Sequence, residues 1–258
     1  MRVDIITTFP EMMESFFNSS IMGRAQRNGY AEICLHNLRD YTTDKHRKTD
    51  DYPFGGCAGL VMKIEPIDNC IKHLKSQRNY DEVIYTTPDG QVFDQPMANS
   101  LSMKENLIFL CGHYEGVDAR VQEYLADEVL SIGDYVLTGG ELPAMMMIDC
   151  ISRLVPGVLN NHVSAEFESF HDNLLEYPQY TRPEVFLGKQ VPPILLSGHH
   201  ANVEKWRREQ SIIRTLERRP ELLEEANLSK KEKKFLNQLL AEKAAEAEVK
   251  ANGSENAE

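Results

Sequence analysis

Short apolar runs alternate with helix-like segments over the first 160 residues, and this alternation constrains the fold more than any other feature. Four of the runs have the length and composition of β-strands: Val3–Thr7, Val83–Thr86, Leu107–Cys111 and Glu128–Ser131. The intervening segments predict helices over residues 67–77, 95–103 and 117–126. Strands that alternate with helices are typical of an α/β fold with a mainly parallel sheet.

Glycine-containing loops follow three of these strands. They span Thr86–Gly90, Gly112–Gly116 and Ile132–Gly140. Each loop taken alone is better explained as a tight turn. In a parallel sheet, however, ligands bind beyond the carboxyl ends of the strands, so three such loops in succession predict one shared pocket.

Several classes of protein are disfavoured by what the chain lacks. It has no P-loop, HExxH, GxSxG or DFG motif, and Gly55–Gly59 does not have the spacing of a dinucleotide-binding loop. No run of about 18 apolar residues is present to span a membrane. The cysteines form no CxxC pair, so we expect neither a disulfide framework nor a metal site but reduced thiols in a cytoplasmic protein. They are Cys34, Cys57, Cys70, Cys111 and Cys150.

The distribution of charge bears on nucleic-acid binding. A net charge of −12 disfavours a phosphate-rich partner. Basic residues are nevertheless clustered, in Lys45–Lys48 and in a second run made of Trp206–Arg208, Arg214 and Arg218–Arg219. The acidic composition therefore weakens the nucleic-acid hypothesis without excluding it.

The composition changes after residue 156 and predicts a second domain. Residues 141–155 predict a helix whose methionine stripe is typical of a core or a subunit interface. Residues 161–180 are polar and rich in turn formers, which predicts a flexible linker. Residues 181–240 predict a small helical domain, in which Ser229 caps a helix, and residues 241–258 predict a frayed helix and a disordered tail.

The segment Ser131–Pro143 contains the densest set of ligand-binding signals. Its glycines allow positive φ and a close approach of the backbone to a ligand, and Ile132 and Leu137 offer apolar walls for a ring. From the residues alone, it is a ligand loop. Together with CGHYEGVDARV, its IGDYVLTGGELPA closely resembles the signature of bacterial tRNA (guanine-N1)-methyltransferases of the SPOUT superfamily. The resemblance covers roughly residues 1–225 and includes ITTFPEMM, DDYPFGGCAGLVMK, LLEYPQYTRPEV, VPPILLSGHH and WRREQS.

The resemblance implies a sheet with a deep trefoil knot, an exception to the rule that chains do not thread loops. Residues 1–160 would form the knotted catalytic domain and residues 181–240 the tRNA-binding domain. The active protein would be a homodimer with its active sites at the subunit interface. S-adenosylmethionine would be held by Pro88, Gly112, Tyr114, Ile132, Gly133, Asp134, Tyr135, Val136, Leu137, Gly139, Gly140 and Pro143.

The same resemblance implies that the acceptor is N1 of the guanosine immediately 3′ of the anticodon, a modification that supports reading-frame maintenance. Because guanine N1 carries a proton at neutral pH, its methylation requires a general base. In the family's pattern this base is an aspartate directly before Ser-Phe, and here the position is Glu168, with Asp172 as a nearby alternative. Arg153 matches the arginine that would stabilise negative charge on O6. Further substrate contacts are predicted at Glu115, Tyr180, Arg182, Arg207 and Arg208.

Two other functions remain as alternatives. A knotted enzyme that methylates ribose 2′-O or ribosomal RNA would not need the guanine-specific linker carboxylate that Glu168 supplies. A non-catalytic RNA-binding module would not need the glycines at 112, 133, 139 and 140. The resemblance also makes Mg²⁺ a candidate cofactor, although no ligand cluster can be identified from spacing.

Overall fold

Five parallel strands form the central sheet. A computed structural model of the chain describes residues 1–56, 58–159 and 169–254, and it divides into two units, residues 1–160 and 161–258. The strands of the first unit's sheet are β1 Arg2–Thr7, β2 Glu32–Asn37, β5 Glu82–Val92, β6 Asn106–Cys111 and β7 Glu128–Ser131. They lie in the order β2-β1-β6-β5-β7, and every neighbouring pair is parallel. The predicted α/β class and its parallel sheet are confirmed.

Helices cover both faces of this sheet. The helices of the first unit are α1 Pro10–Phe17, α2 Ser20–Arg27, α3 Ile64–Gln77, α4 Gln95–Ser102, α5 Ala119–Tyr124 and α6 Glu141–Ser152, and a small antiparallel pair is formed by β3 Asp50–Asp51 and β4 Val61–Met62. Alternate residues of the strands enter two apolar cores. Ile5 and Phe109 pack in the core with α1 and α6, whereas Ile6 and Ile108 pack in the core with α3 and α5.

Apart from the strand predicted over Val83–Thr86, which continues to Val92, the predicted elements agree with the structure within a few residues at their ends. The helix predicted over 117–126 is shorter because Asp118 caps it, accepting a hydrogen bond from the N–H of Arg120 at 3.0 Å. The strand β2 and the helices α1 and α2 were not among the predicted elements. In β2, most side chains are only partly buried, so it lacks the long apolar run of an interior strand.

The second unit is mainly helical. Its elements are β8 Val185–Phe186, β9 Lys189–Gln190, α7 Pro193–Leu196, α8 His200–Arg218 and α9 Lys230–Ser254. Leu174, Ile212 and Leu228 form the centre of its core. Ser229 caps the start of α9 as predicted, since its hydroxyl oxygen accepts a hydrogen bond from Glu232 N–H at 3.4 Å. In return, Ser229 N–H donates to Glu232 Oε2 at 2.7 Å. Helix α9 extends to Ser254, into the range predicted to form a frayed helix and a tail.

Candidate functional site

A cavity of about 250 Å³ opens at the carboxyl ends of β6 and β7 and beside the loop that follows Thr86 of β5; these three strands are neighbours in the sheet. All three glycine-containing loops contribute to it, so the loops share one pocket as predicted. The residues that line the cavity are Tyr85, Thr86, Thr87, Pro88, Gly112, His113, Tyr114, Glu115, Gly116, Leu130, Ser131, Ile132, Gly133, Tyr135, Val136, Leu137, Thr138, Gly139, Gly140 and Pro143.

The first of these loops is a bulge within a strand. Thr86 and Gln91 of β5 both lie opposite Leu130 of β7, so the four residues between them leave the ladder. The predicted boundary at Thr86 is therefore wrong in one respect, because β5 resumes pairing and continues to Val92. The bulge places Thr87 and Pro88 in the lining of the cavity.

The third loop packs tightly against the ends of β5 and β6. The N–H of Gly140 donates to the carbonyl of Gly112 at 2.8 Å, and the Thr86 hydroxyl lies 3.3 Å from the Gly140 carbonyl oxygen. A Cβ on Gly140 would lie 2.5 Å from Thr86 Oγ1, 2.7 Å from Gly112 N and 2.8 Å from Cys111 Cα. Only glycine fits here without displacing backbone, and the close approach predicted for this loop is present.

A buried polar network lies next to the same loop. Glu141, the first residue of α6, is 1% exposed. Its Oε1 accepts a hydrogen bond from the Thr7 hydroxyl at 2.5 Å, and its Oε2 lies 2.6 Å from Nε2 of His113. The ring of His113 packs against Phe9 with centroids 4.8 Å apart. This network connects the ends of β1 and β6 to the start of α6, and so fixes the wall of the cavity next to Gly139.

Sequence reasoning missed this network. Thr7 and Glu141 are 134 residues apart, and no local pattern connects them. The available signal was a carboxylate at the start of a helix directly after two glycines, since an acidic side chain in the first turn is favoured by the helix dipole.

Eleven of the twelve residues predicted to hold the methyl donor line the cavity. The exception is Asp134, whose side chain is exposed outside the lining. Among the described residues, nothing hydrogen-bonds to the main chain of Val136 or Leu137, so their N–H and C=O groups are available to a ligand.

Two ionisable groups at or next to the cavity are held neutral: the Tyr85 phenol in its lining, and the thiol of Cys111, which precedes Gly112 and is fully buried outside the lining. Burial raises the pKa of the Tyr85 phenol, and burial together with the nearby Glu141 carboxylate raises the pKa of the Cys111 thiol well above its ordinary value. A thiol that does not ionise is a poor nucleophile. The cavity therefore suits binding and orientation, and covalent catalysis by Cys111 is disfavoured.

The residues predicted for catalysis lie in different places. Glu168 is outside the described residues. Arg153 is the C-cap of α6, where it is half-buried and engaged with other groups. Glu115 is exposed at the cavity, with its side chain over the backbone of Gly59. Asp172, the alternative base, accepts a hydrogen bond from Arg208 at 3.2 Å.

The predicted RNA contacts in the second unit differ in their availability. Tyr180 and Arg182 are exposed, and the ring of Tyr180 lies 6.5 Å from that of Trp206. Arg207 stacks over the ring of Tyr177, 4.9 Å from its centroid. The Arg208 guanidinium donates to Glu232 at 2.8 Å and to the Asn227 carbonyl at 3.0 Å, besides its bond to Asp172.

Neither a metal-ion cluster nor a membrane-spanning helix is present within the described ranges. No group of three or more His, Cys, Asp or Glu residues among them could hold a metal ion. No helix formed by those residues is long and apolar enough to cross a bilayer.

Comparison with known proteins gives the family. The model of the family described as tRNA (Guanine-1)-methyltransferase TrmD matches residues 1–225. The chain belongs to this family. The matched region contains every lining residue of the cavity and all of α8, and it ends before α9.

Curated relatives with the name tRNA (guanine-N(1)-)-methyltransferase are similar to most of the chain. The protein from Bacteroides thetaiotaomicron is 61% identical over 225 residues, which are 87% of this chain and 100% of that protein. The protein from Lachnoclostridium phytofermentans is 53% identical over 266 residues, covering 93% of this chain and 97% of that protein. The protein from Flavobacterium johnsoniae is 56% identical over 225 residues, with 87% and 100% coverage.

Proposed function

We propose that this chain transfers a methyl group from S-adenosylmethionine to N1 of the guanosine immediately 3′ of the anticodon of tRNA. The observation that carries the proposal is a single cavity built from three strand-end loops, in a chain of the tRNA (Guanine-1)-methyltransferase family. The 53–61% identity to relatives named for guanine-N1 methylation favours this acceptor over ribose 2′-O.

The cavity suits the donor in shape and chemistry. Ile132 and Leu137 give apolar walls for the adenine ring, and the main chain of Val136 and Leu137 offers hydrogen-bonding groups for its edge. The donor supplies an activated methyl group when it is bound. The protein's part is to hold the methyl carbon and the acceptor nitrogen in line, which is a matter of positioning.

The chemistry at the acceptor requires a base and a cation. Glu168 would remove the N1 proton, and Arg153 would stabilise the negative charge that develops on O6. Asp172 is the weaker candidate for the base because it forms an ion pair with Arg208. Mg²⁺ is a candidate cofactor to which no residue is assigned: the described residues contain no group of three or more His, Cys, Asp or Glu residues that could hold a metal ion, and proteins usually hold Mg²⁺ with one or two carboxylates, water and substrate oxygens.

The proposal also includes the knot, the homodimer, the domain organisation and the location. The deep knot is supported by the close packing of residues 139–140 against the ends of two other strands. The homodimer is supported by an apolar surface on α1 and α6, where four large side chains are more than a third exposed: Met12, Phe16, Leu142 and Met146. We also propose residues 181–240 as the tRNA-binding domain after a linker over 161–180, and the cytoplasm, where tRNA is processed, as the location.

Methyl transfer to tRNA with guanosine 3′ of the anticodon tests the function directly. Transfer with the wild-type protein should yield 1-methylguanosine when the tRNA is digested and its nucleosides are analysed by mass spectrometry. A 2′-O-methylated nucleoside would identify the alternative enzyme. Normal tRNA binding without any transfer would overturn the proposal in favour of a binding module.

Variants at the proposed base separate its role from that of its neighbour. Glu168→Gln keeps the shape and removes the base, so kcat should fall by about 10²–10⁴-fold. Glu168→Asp retains a carboxylate and should keep most of the activity. Asp172→Asn serves as the control, and a loss in this variant that matched Glu168→Gln would reassign the base to Asp172. Arg153→Ala should lower kcat without changing donor affinity.

A further inference from the structure

A second cavity, of about 430 Å³, lies within the residues of the second unit. It shares no lining residue with the donor pocket and contains none of the individual substrate contacts predicted from the sequence, although Arg214 and Arg218 belong to the basic run noted there. Polar and charged side chains form most of its lining, which consists of Ser169, Leu175, Glu176, Tyr177, Gln179, Arg214 and Arg218.

Two arginines one helical turn apart supply positive charge to this cavity. Arg214 and Arg218 both lie on α8, so their side chains project from the same face of the helix. Within the described part of the chain, neither forms an ion pair or a side-chain hydrogen bond. Arg219, the next residue along, differs in that its guanidinium pairs with Glu221.

The other two arginines of α8 are engaged in different ways: Arg208 is hydrogen-bonded, whereas the buried Nε of Arg207 has no hydrogen-bond partner among the described groups. Arg208 bonds Asp172, Glu232 and the Asn227 carbonyl, and Arg207 stacks on Tyr177. Most of the bonding capacity of Arg208 is therefore used within the protein.

Glu176 is the acidic residue in the lining of the cavity, and local bonds engage it. Its Oε1 accepts a hydrogen bond from Gln179 Nε2 at 2.6 Å, and its main-chain N–H donates to Ser169 Oγ at 3.0 Å. Among the described lining residues, one carboxylate stands against two guanidinium groups, which gives this part of the lining a net positive charge. A cavity of this composition suits an anion with several acceptor oxygens.

We propose that Arg214 and Arg218 bind a backbone phosphodiester of the tRNA, and that they, rather than Arg208, supply this phosphate contact of α8. The inference rests on the proposed function. A guanidinium matches the geometry of a phosphate through paired N–H donors, and the Tyr177 hydroxyl and Gln179 amide offer further donors. A local positive site of this kind allows a chain of net charge −12 to bind a polyanion.

The test compares full-length variants in tRNA binding and in methyl transfer. The double variant Arg214→Ala/Arg218→Ala should raise both Kd and KM for tRNA by about tenfold or more, with donor affinity and kcat at saturating tRNA unchanged. The slope of log affinity against log salt should become shallower by about one unit for each lost phosphate contact. Arg219→Ala removes one positive charge from the adjacent position and should change KM by less than about twofold.

A second variant guards against a folding artefact. Arg214→Lys/Arg218→Lys keeps both charges and should retain the salt slope while losing part of the affinity, because an ammonium cannot form paired bonds. The inference would be overturned if the alanine double variant kept the wild-type KM and salt slope. It would also be overturned if Arg219→Ala lost as much tRNA affinity as the double variant. If the wild-type protein binds tRNA but transfers no methyl group, the proposed function fails, whereas the binding comparison still tests this cavity.

Discussion

Replacing Gly140 by alanine tests whether the close packing of the third loop shapes the donor pocket. Gly140 has φ −82° and ψ −4°, which alanine adopts without strain, so the backbone conformation is not the obstacle. The obstacle is the added Cβ, which would lie within 2.8 Å of atoms of Thr86, Gly112 and Cys111. Two of these three contacts are with main-chain atoms, which cannot rotate away.

Two opposing effects set the size of the change. A Gly→Ala substitution stabilises a protein by about 0.4–1 kcal/mol through the unfolded state when the native conformation tolerates it. Overpacking costs about 1–3 kcal/mol, so the clash should win. The protein can relieve this strain by moving the part of the cavity wall that Gly112 and Gly140 form. Donor binding must then return the wall to its original position, and the strain is restored with it. Full transfer of that strain to binding corresponds to about 5- to 150-fold weaker affinity.

Calorimetric titration with S-adenosylmethionine and thermal unfolding measure the two consequences. Gly140→Ala should bind the donor more weakly and lose roughly 2–4 °C in Tm for each kcal/mol. The control is Gly29→Ala at the end of α2, where φ is +74° and a Cβ would meet nothing within 4 Å. The control should lose stability and keep donor affinity. Wild-type affinity in Gly140→Ala, or equal losses of affinity in both variants, would refute the reasoning.

Three further predictions concern polar groups. Glu141→Gln removes the carboxylate charge that contacts both His113 and Thr7, and it should raise the KM for the donor several-fold at unchanged kcat. An unchanged KM in steady-state assays would contradict the positioning role of Glu141. Burial would raise the pKa of Asp4, but hydrogen bonds from His36, Arg2 and Tyr80 lower it to about 2 from its ordinary 3.8. Above pH 3.8, Asp4 should thus contribute about 2.5 kcal/mol to the free energy of unfolding, and this contribution is lost as the pH falls to 2. Chemical denaturation across that range should show the loss in the wild type and not in Asp4→Asn. Ser229→Ala removes the cap of α9 and should cost about 1 kcal/mol in the same assay, with donor affinity unchanged.

Much of the first unit could be predicted because its strands are short apolar runs with clear ends. Leu107–Cys111 and Glu128–Ser131 are recovered nearly residue for residue, since buried parallel strands need continuous apolar side chains. The edge strand β2 was missed because a half-buried strand needs no such run. The bulge in β5 was missed because Pro88 and Gly90 read locally as the end of a strand.

The pocket was predictable in outline for a similar reason. Parallel strands place their carboxyl ends on one edge, so glycine-containing loops after three strands indicated a shared site before their order in the sheet was known. The order β6-β5-β7, which makes the three loops neighbours, came from the fold. The buried contact of Thr7 with Glu141 came from it as well, because a pair 134 residues apart has no local pattern.

The arginines of α8 show where residue type stops being informative. Along the chain, Arg207, Arg208, Arg214 and Arg218 are equivalent positive charges in one basic helix. A guanidinium can bind RNA only if its donors are not already used within the protein. Whether the donors of an arginine are used depends on the carboxylates and carbonyls that the fold places beside its guanidinium group. Beside Arg208, the fold places Asp172, Glu232 and the Asn227 carbonyl. Spacing and residue type were enough to indicate a basic helix and a ligand loop, and long-range packing decided which of their groups face a ligand.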